Sequence, residues 1–569
     1  MAARTASARP DLPKLVTGRR RWLLALLVAN GVGQAATATA TVLLVEATFE
    51  RLLAGGPRGS VGALVPYAGG LVLTALAVGY LRARERADAE RLGQSYVHDL
   101  RTTMYARLAA LSPRALQRRS QGSVMLRFVG DLRAVGQWVS LGLSRLLVGG
   151  VFAVGSLAAL AVVAPPLAAA VGLVLALGLA AALGSGGTMR DRTRQARRHR
   201  ARLAANLGDK VGAIGVVQLS GRMGKERRKL HRQSDELSSA MVARAQLVGR
   251  LRGITEVTAG LATVAVLLAG SWAMRSGQAN AGTVVAAMAI VGLMTSPLRD
   301  LGRVHELWHN SRVSLEKVVS FIRTPSLVHT APDAVELEPG PGELAFEDVQ
   351  LEGSLRGVTA VAEPGSLVAV VGPNGSGKST LMSLVGRLID PERGKVLIDG
   401  QDLRRLKPSS VRRAVSMAGP DFPLMRGSVR KNLRYRDPDA PDEEVEEISR
   451  LCGLDDLIAE LPEGLETKVV EGGRNLSAGQ RQRIALARSL LRDPLILLLD
   501  EADANLDEQA RELLERIMAD RRGRRTTVVV THRSDLLERV DAIWRLEDGR
   551  LADVTGPLEP VAPAGPPPW

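Results

Sequence analysis

The sequence predicts a multidomain membrane protein in which an all-α transmembrane domain of six helices is followed by an α/β domain. Six apolar segments within the first 300 residues can each hold about 20 residues, the length that crosses about 30 Å of hydrocarbon. The formal charge divides in the same way: +26 for residues 1–330, −3 for residues 331–340 and −7 for residues 341–569. Beyond a Pro-rich stretch at residues 324–342, short β-like runs alternate with helical ones, which is typical of an α/β domain.

The overall composition is an average over these two unlike halves. The chain has 569 residues, 46% hydrophobic and 24% charged, with a mean hydropathy of +0.05, and this length excludes a single small module. A single cysteine, Cys452, excludes a disulfide scaffold and any cysteine-based metal site. We expect Cys452 to be a small hydrophobic residue with no chemical role.

The six predicted spans lie at residues 22–47, 61–81, 141–163, 166–185, 253–274 and 280–298. Residues 1–21 end in three arginines and are expected to form a cytoplasmic tail. The apolar run that follows exceeds the roughly 7–15 residues of a signal-peptide core, so it is predicted to remain as the first span. Short turns are expected at Pro165-Pro166 and at residues 275–278, since proline and glycine interrupt the apolar pattern there.

Two long connections, residues 82–140 and 189–252, carry most of the positive charge. Arginine flanking apolar runs is the signature of cytoplasmic loops, so both connections and the N-terminus are predicted to face the cytoplasm. Their pattern is helical, which indicates membrane helices that continue into the cytoplasm. The six spans argue against a soluble nucleic-acid ATPase, although a basic chain often binds nucleic acid. Contact of the arginines with anionic membrane lipid is expected instead.

The first span is unusually polar for a lipid-facing helix, and two interpretations stay open. Its polar residues are Asn30, Gln34, Thr37, Thr39, Thr41 and Glu46. They either line a substrate path or make hydrogen bonds between helices, because polar groups at membrane depth face a bundle interior or water.

We divide the chain into a transmembrane domain at residues 22–323, a linker at 324–342, an α/β domain at 343–555 and a Pro-rich tail at 556–569. In the α/β domain the strand predicted at residues 367–371 runs directly into a glycine-rich loop and then a helix, the arrangement of a phosphate-binding P-loop. Lys378 is placed to reach phosphates and Ser379 to ligate Mg²⁺. The loop consists of Gly372, Pro373, Asn374, Gly375, Ser376, Gly377, Lys378, Ser379 and Thr380.

A second buried strand, residues 495–499, ends in Asp500 and Glu501. Beside a P-loop, the first carboxylate is placed to hold Mg²⁺ and the second to polarise an attacking water.

Further motifs give the chain a family resemblance. Residues 476–480 are similar to the signature sequence of the ATP-binding cassette (ABC) superfamily, with alanine in place of the usual glycine. Residues 504–507 resemble its D-loop, ending in Asp507, and His532 resembles its switch histidine. The signature residues are Leu476, Ser477, Ala478, Gly479 and Gln480.

Residues 426–432 and the segment around Glu471 look like exporter patterns. With six spans before the cassette, the chain resembles an exporter half-transporter of type I, also called type IV.

The resemblance implies an ATPase that uses ATP and Mg²⁺, with Glu501 and His532 as catalytic residues. It also implies a dimer in which the signature of one chain meets the ATP on the P-loop of the other. Coupling helices are expected near residues 113–122 and 208–221. The implied function is export of an amphiphilic peptide, drug-like molecule or lipid across the plasma membrane, with a second half-transporter as partner. A siderophore-type importer and a non-transporting sensor remain alternatives.

The chain departs from the family pattern at two positions. Gly353 stands where an aromatic ring usually stacks on adenine, so a contribution of about 1–3 kcal/mol is lost and base preference is expected to relax. Pro420 stands where a glutamine usually faces Mg²⁺ and the attacking water, and the neighbouring Asp421 is a candidate substitute. Such losses favour a heterodimer slightly over a homodimer.

Overall fold

The computed structural model describes residues 12–54, 64–117, 121–184, 186–501 and 508–555, and the chain forms two compact units. A helical unit comprises residues 1–109 and 119–324, and an α/β unit comprises residues 110–118 and 325–569. Residues 110–118 therefore group with the α/β unit, although they belong by sequence to the first long connection. The N-terminal residues 1–11, the Pro-rich tail from residue 556 and the D-loop with Asp507 lie outside the described residues.

Long helices build the helical unit, as predicted. They are α1 (Arg19–Ala54), α2 (Val65–Ala110), the short α3 (Pro113–Gln117), α4 (Gln121–Leu126), α5 (Leu132–Gln137), α6 (Ser144–Val163), α7 (Pro165–Gly184), α8 (Gly186–Gly212), α9 (Ile214–Leu219), α10 (Met223–Arg275) and α11 (Ala281–Ile322). Two π-helical segments, Arg127–Asp131 and Trp138–Leu143, join α4, α5 and α6 into one continuous rod.

Four of the six predicted spans lie in helices that are long and apolar enough to cross a membrane: Arg19–Arg51, Val65–Ala110, Gly122–Val163 and Met223–Arg275. The other two lie in α7 and α11, whose apolar stretches within the described part of the chain are shorter, at Pro165–Ala181 and Ala281–Met294. The predicted helical transmembrane domain followed by an α/β domain is confirmed.

The charged connections continue the membrane helices, which confirms the helical interpretation. Helix α2 has 46 residues and α10 has 53. At 1.5 Å per residue they are about 70 and 80 Å long, more than twice the hydrocarbon thickness.

The predicted turns are present and have identifiable causes. Pro165 begins α7 directly after Ala164, where the backbone leaves the helical region, and proline is tolerated at a first helical position. Between α10 and α11, Gly277 adopts a φ of +72°, and the Asn280 side chain caps α11 by accepting a hydrogen bond from the Thr283 amide at 2.7 Å.

The polar residues of α1 make contacts inside the bundle. Asn30 Nδ2 donates to the Leu81 carbonyl at 2.9 Å, and Gln34 Nε2 donates to Glu85 Oε2 at 2.8 Å. The three threonines, Thr37, Thr39 and Thr41, donate to carbonyls of their own helix. Near the other end, Glu46 Oε1 accepts from Thr283 Oγ1 at 2.7 Å. Of the two open interpretations, the contacts of Asn30, Gln34 and Glu46 support hydrogen bonding between helices, whereas the threonines bond within α1.

The α/β unit contains two main sheets. A six-stranded sheet has the order β12-β11-β3-β10-β9-β6, parallel except for β12, and a four-stranded antiparallel sheet has the order β2-β1-β4-β5. The strands are β1 (Leu344–Leu351), β2 (Leu355–Ala362), β3 (Leu367–Val371), β4 (Arg393–Ile398), β5 (Gln401–Asp402), β6 (Val415–Ala418), β7 (Gly427–Ser428), β8 (Lys468–Val469), β9 (Ile496–Asp500), β10 (Thr526–Val530), β11 (Ala542–Glu547) and β12 (Arg550–Thr555). Strands β3, β9 and β10 are mostly apolar and almost wholly buried, as expected of central parallel strands.

Helices cover the parallel sheet and form a separate helical part around α14 to α17. They are α12 (Lys378–Val385), α13 (Pro408–Ala414), α14 (Val429–Leu433), α15 (Asp442–Leu451), α16 (Leu454–Glu460), α17 (Ala478–Leu490), α18 (Glu508–Arg521) and α19 (Ser534–Leu537). Cys452 lies fully buried in the core of this part, and burial raises the pKa of its thiol to about 12. The thiol is therefore protonated at neutral pH and packs as a small hydrophobe, as expected.

A buried arginine joins the linker to the α/β unit. Arg387 has no exposed surface, and its guanidinium donates to the Leu406 carbonyl and to the His329 carbonyl at 3.2 Å. It also pairs with the Asp390 carboxylate, at 3.4 Å. Since His329 belongs to the linker, one side chain fixes the linker against the cassette core.

We expect Arg387→Met to lower the unfolding temperature of the full chain by about 5–10 °C, measured by scanning fluorimetry. The methionine leaves buried carbonyls without donors and removes the guanidinium partner of the Asp390 carboxylate, a loss of about 3 kcal/mol. Arg356→Met is the matched control, because Arg356 is exposed on β2, and its shift is expected to stay within about 1 °C. Equal shifts for both variants would contradict the structural role of Arg387.

Candidate nucleotide-binding site

The glycine-rich loop between β3 and α12 forms a tight turn that excludes larger residues. Gly372 and Gly377 have φ values of +150° and +110°, a backbone region that other residues rarely adopt. A Cβ on Gly377 would lie 2.7 Å from a Leu355 side-chain carbon. The backbone therefore wraps closely in front of the N-terminus of α12, where amide groups and the helix dipole favour an anion.

Two side chains of the loop point to phosphate as its ligand. Lys378 is almost fully buried, and its Nζ donates to the carbonyls of Gly372 at 2.7 Å and Pro373 at 3.1 Å. The Lys378 ammonium group is thus held inside the glycine turn by carbonyls at its start. The Ser376 hydroxyl is also buried and has no hydrogen-bond partner among the described residues. A buried cation and a spare hydroxyl in a glycine turn fit a phosphate group.

Strand order brings Asp500 and Glu501 beside this loop. Strand β10 pairs in parallel with both β3 and β9, with Val530 opposite Val370 on one side and Asp500 on the other. Because carboxyl ends of parallel strands meet at one edge, the P-loop and the two carboxylates are separated by a single strand.

Asp500 contacts the P-loop helix directly. Burial raises the pKa of Asp500, while a hydrogen bond with Ser379 lowers it and the charges of Glu501 and Asp421 raise it further. A hydroxyl and a carboxylate in contact are the oxygen donors that Mg²⁺ prefers. The pair therefore fits the metal role predicted for it.

Glu501 lies at the end of β9 in a strained conformation. Its φ is +50°, and its amide donates to the Val530 carbonyl at 3.2 Å. The residue borders a cavity of about 310 Å³ that also touches Pro420 and Ala478. Strained residues of this kind cluster at active sites, because the surrounding structure has to hold them in place.

His532 follows β10, the strand between β3 and β9, and its side chain is exposed next to the buried Thr531. This position lies at the same edge of the sheet as the P-loop and the carboxylates. Its role as a switch residue remains a prediction.

The signature residues form the exposed N-terminus of α17. Ser477 and Gln480 make a capping box: Ser477 Oγ accepts from the Gln480 amide at 3.1 Å, and Gln480 Oε1 accepts from the Ser477 amide at 2.9 Å. Leu476 is buried and anchors the turn, whereas Ser477 and Ala478 are exposed. The cap thus presents a hydroxyl and a helix N-terminus outward, with the features of a second phosphate-binding element.

The hairpin tip that carries Gly353 lies against the P-loop but offers no ring. Strands β1 and β2 close with Leu351 opposite Leu355, and the Ser354 hydroxyl bonds to Thr380 Oγ1 at 2.7 Å. Gly353 has a φ of +71° and open space where a Cβ would stand. A residue with a side chain at position 353 would have an unfavourable backbone conformation, but its Cβ would not clash with any neighbouring atom.

The loop after β6 passes directly beside Asp500. A Cβ on Gly419 would lie 2.7 Å from the Asp500 carbonyl oxygen, and the Phe422 amide donates to the Gly419 carbonyl at 3.0 Å. Within this turn, Asp421 is close enough for its charge to raise the pKa of Asp500.

Sequence reasoning missed Arg488, which holds this loop from α17. Its guanidinium donates to the carbonyls of Phe422 at 2.6 Å and Pro423 at 3.1 Å. The signature helix and the loop beside Asp500 are thereby linked. A basic residue on an amphipathic helix gives no sequence signal for such a contact, because its partners are backbone atoms about 65 residues earlier.

Comparisons with known proteins agree with this site. Residues 24–298 match the family model of the ABC transporter transmembrane region, and residues 355–504 match the ABC transporter model. The chain is 29% identical over 466 residues to an ATP-dependent lipid A-core flippase of Chromobacterium violaceum, covering 80% of this chain and 79% of that one.

A multidrug efflux ATP-binding/permease protein of Mycobacterium tuberculosis is 31% identical over 560 residues, which cover 93% of this chain. The chain spans only 45% of the length of that relative. Among solved structures, a bacterial Atm1-family ABC exporter with ATP bound has a TM-score of 0.84 at 24% identity and covers 95% of both chains, which shows the fold.

The two family models follow each other along the chain in the order that the fold requires, a helical membrane region and then an ATPase domain. The chain therefore belongs to the ABC transporter family, with an exporter-type fold in which one transmembrane domain is fused to one nucleotide-binding ATPase domain.

Proposed function

We propose that the chain is one half of an ATP-driven exporter that moves an amphiphilic peptide, drug-like molecule or lipid out across the plasma membrane of a bacterium. The glycine turn that holds Lys378, one strand away from Asp500 and Glu501, carries this proposal. It supplies a phosphate site and a metal site within one small volume. The relatives named for multidrug efflux and for lipid A-core flipping support export as the direction.

In the proposed reaction the residues at the ends of β3, β9 and β10 have different roles. Lys378 and the loop amides hold the phosphates of ATP, and Glu501 accepts a proton from the attacking water. His532 contacts the terminal phosphate from the end of β10. Ser379 and Asp500 would hold Mg²⁺, which when bound supplies positive charge to the triphosphate.

This proposal requires a second half-transporter. Ser477 caps the exposed end of α17, so the nucleotide that it contacts would belong to a partner. The partner's ATP would receive the hydroxyl and the helix N-terminus of this cap, and ATP would join the two cassettes until hydrolysis releases them. Asp507 of the D-loop would lie at the same junction.

Helix α9 supports the same conclusion, since Ile214, Val216 and Leu219 are exposed, Leu219 to 93%. Exposed apolar residues on a cytoplasmic turn need a covering surface, which we assign to the partner's cassette.

Short helices lie at both predicted coupling positions. Helix α3 groups with the α/β unit, and the Ser326 hydroxyl donates to the Ala110 carbonyl at 2.9 Å just before it. Helix α9 lies within residues 208–221. We propose that these helices transmit closure of the cassettes to the membrane helices.

A heterodimer remains slightly favoured over a homodimer, because Gly353 and Pro420 leave this chain's own site without two usual contacts. A second chain could supply a more complete site. A stable, fully active symmetric dimer of this chain alone would contradict the heterodimer.

Transport into inverted membrane vesicles tests the function. We expect ATP-dependent uptake of fluorescent amphiphiles that is lost in Lys378→Ala, because export out of the cell becomes import into inverted vesicles. ATP-dependent release would instead show the importer alternative. ATP hydrolysis that no amphiphile stimulates, without flux, would show the sensor alternative.

The missing ring at Gly353 predicts weak discrimination between bases. We expect the Kd values of ATP, GTP and CTP to agree within about threefold, because no aromatic stacking at the hairpin tip distinguishes them. Competition against a fluorescent ATP analogue on the full chain measures this ratio. A preference for ATP of about tenfold or more would contradict the expectation and require another side chain on the base.

Asp421 is proposed as the substitute for the missing glutamine. We expect Asp421→Ala to weaken Mn²⁺ binding in the presence of ATP by about tenfold, read by electron paramagnetic resonance, since outer ligands typically contribute that factor. Asp439→Ala, at an exposed acidic residue in the same unit, serves as the control. Unchanged metal affinity and unchanged Mg²⁺ dependence of hydrolysis would remove Asp421 from the site.

A further inference from the structure

The segment after β10 carries a largely buried arginine that the nucleotide site does not use. Arg533 directly follows His532, and only 21% of its side chain is exposed, whereas the His532 side chain is exposed. Arginine side chains are mostly exposed unless they are paired, so a largely buried one is held by partners. The partners of Arg533 lie on two different helices, α18 and α19.

The guanidinium of Arg533 is held from both sides. Its Nη2 donates to Glu515 Oε1 of α18 at 3.1 Å, and its Nε donates to Asp535 Oδ1 of α19 at 3.0 Å. Hydrogen bonding with Arg533 lowers the pKa of Asp535, so this carboxylate is charged at neutral pH. Because the donors of a guanidinium form a rigid fork, several such bonds fix its direction.

The backbone is anchored on both sides of His532. Thr531 is fully buried at the end of β10, and its amide donates to the Val370 carbonyl of β3 at 3.4 Å. The Arg533 amide in turn donates to Thr531 Oγ1 at 3.1 Å. His532 therefore lies between a residue that is fixed to the sheet and a residue that is fixed to α18.

The His532 imidazole lacks a partner of this kind. Within the part of the chain that the structure describes, no residue forms a hydrogen bond with this ring. The direction in which the ring leaves the sheet is therefore determined by the backbone that carries it. A neighbouring residue that fixes this backbone acts on the ring without touching the nucleotide.

Glu515 is a firm anchor for Arg533 because its own position is fixed. Its second carboxylate oxygen accepts from Arg539 Nη1 at 2.6 Å, so two arginines compensate one largely buried charge. On the same helix, Leu514 and Met518 are buried in one hydrophobic core with Val529 of β10. Helix α18 is thereby packed against the strand that ends at His532.

We propose that Arg533 is a positioning residue for His532. Through Glu515 and Asp535 it fixes the direction in which the imidazole points from the end of β10 toward the terminal phosphate. The inference rests on the role proposed for His532 in ATP hydrolysis, and it adds the residues that aim this side chain. Such aiming matters, because displacement of a reacting group by about 1 Å can lower a rate about a hundredfold.

Single-turnover hydrolysis by the full chain in nanodiscs tests the positioning role, with Mg·ATP binding measured in parallel. We expect Arg533→Met to lower the hydrolysis rate about tenfold, which corresponds to loss of one hydrogen bond to a charged group. The Kd of Mg·ATP is expected to stay within about twofold, since the P-loop is unchanged. Arg539→Met is the matched control: it removes the other arginine from Glu515, and its rate is expected to stay within about twofold of the wild type.

A double-mutant cycle with His532→Ala distinguishes positioning from a general structural role. Because Arg533 acts through the imidazole, we expect Arg533→Met to lower the rate by no more than about twofold once His532 is already alanine. A further tenfold loss in that background would overturn the proposal. Glu515→Gln guards against misfolding of Arg533→Met, because it keeps the side-chain shape and one acceptor oxygen; its expected loss is about threefold.

The remaining outcomes separate this inference from the proposed function. Wild-type rates in both Arg533→Met and Glu515→Gln, or an equal loss in Arg539→Met, would refute the positioning role and leave the role of His532 intact. Wild-type hydrolysis by His532→Ala would refute the role of His532 and the positioning role together. Export is measured independently by transport into vesicles, so its failure would leave the result on Arg533 unchanged.

Discussion

The parallel pairing of β3, β10 and β9 is the constraint on which the nucleotide site depends. It places the end of β3, where the glycine turn begins, one strand away from the end of β9, where Asp500 and Glu501 stand. Ser379 of α12 lies close enough to Asp500 to lower the pKa of its carboxyl group. If β9 were paired one residue out of register, the Asp500 side chain would lie on the opposite face of the sheet.

One loop connects this arrangement to the signature helix of the α/β unit. The turn from Gly419 to Phe422 runs against Asp500, and Arg488 of the signature helix holds the carbonyls of the same turn. Movement of α17 would thereby be transmitted to Asp500 through backbone contacts. In a dimer, closure on the partner's ATP would act on α17 first, because Ser477 caps its exposed end.

Local patterns were sufficient to predict the strand–loop–helix of the P-loop and the strand that ends in Asp500. In each case a buried apolar strand ends at residues that suit a phosphate or a metal ion: the glycine-rich loop with Lys378 in the first, and Asp500 in the second. The long helices that continue the predicted spans were also predictable, since charge and helical pattern coincide over residues 82–140 and 189–252.

Contacts between distant residues were not predictable in the same way. The polar residues of α1 left two interpretations open because their partners, Leu81, Glu85 and Thr283, are up to 237 residues away. The π-helical segments beside α5 have no signature in composition, and neither does the buried Arg387.

The central claim is that the ends of β3 and β9 form one catalytic site. The most direct test is whether Glu501→Gln separates ATP binding from ATP hydrolysis. With the full chain in nanodiscs, we expect Glu501→Gln to bind Mg·ATP within about twofold of the wild type, while single-turnover hydrolysis falls at least about a hundredfold, since removal of a general base costs about 10²–10⁴. In the proposed reaction the carboxylate of Glu501 accepts the proton of the attacking water and does not hold the phosphates. Hydrolysis by this variant at the wild-type rate would contradict the account.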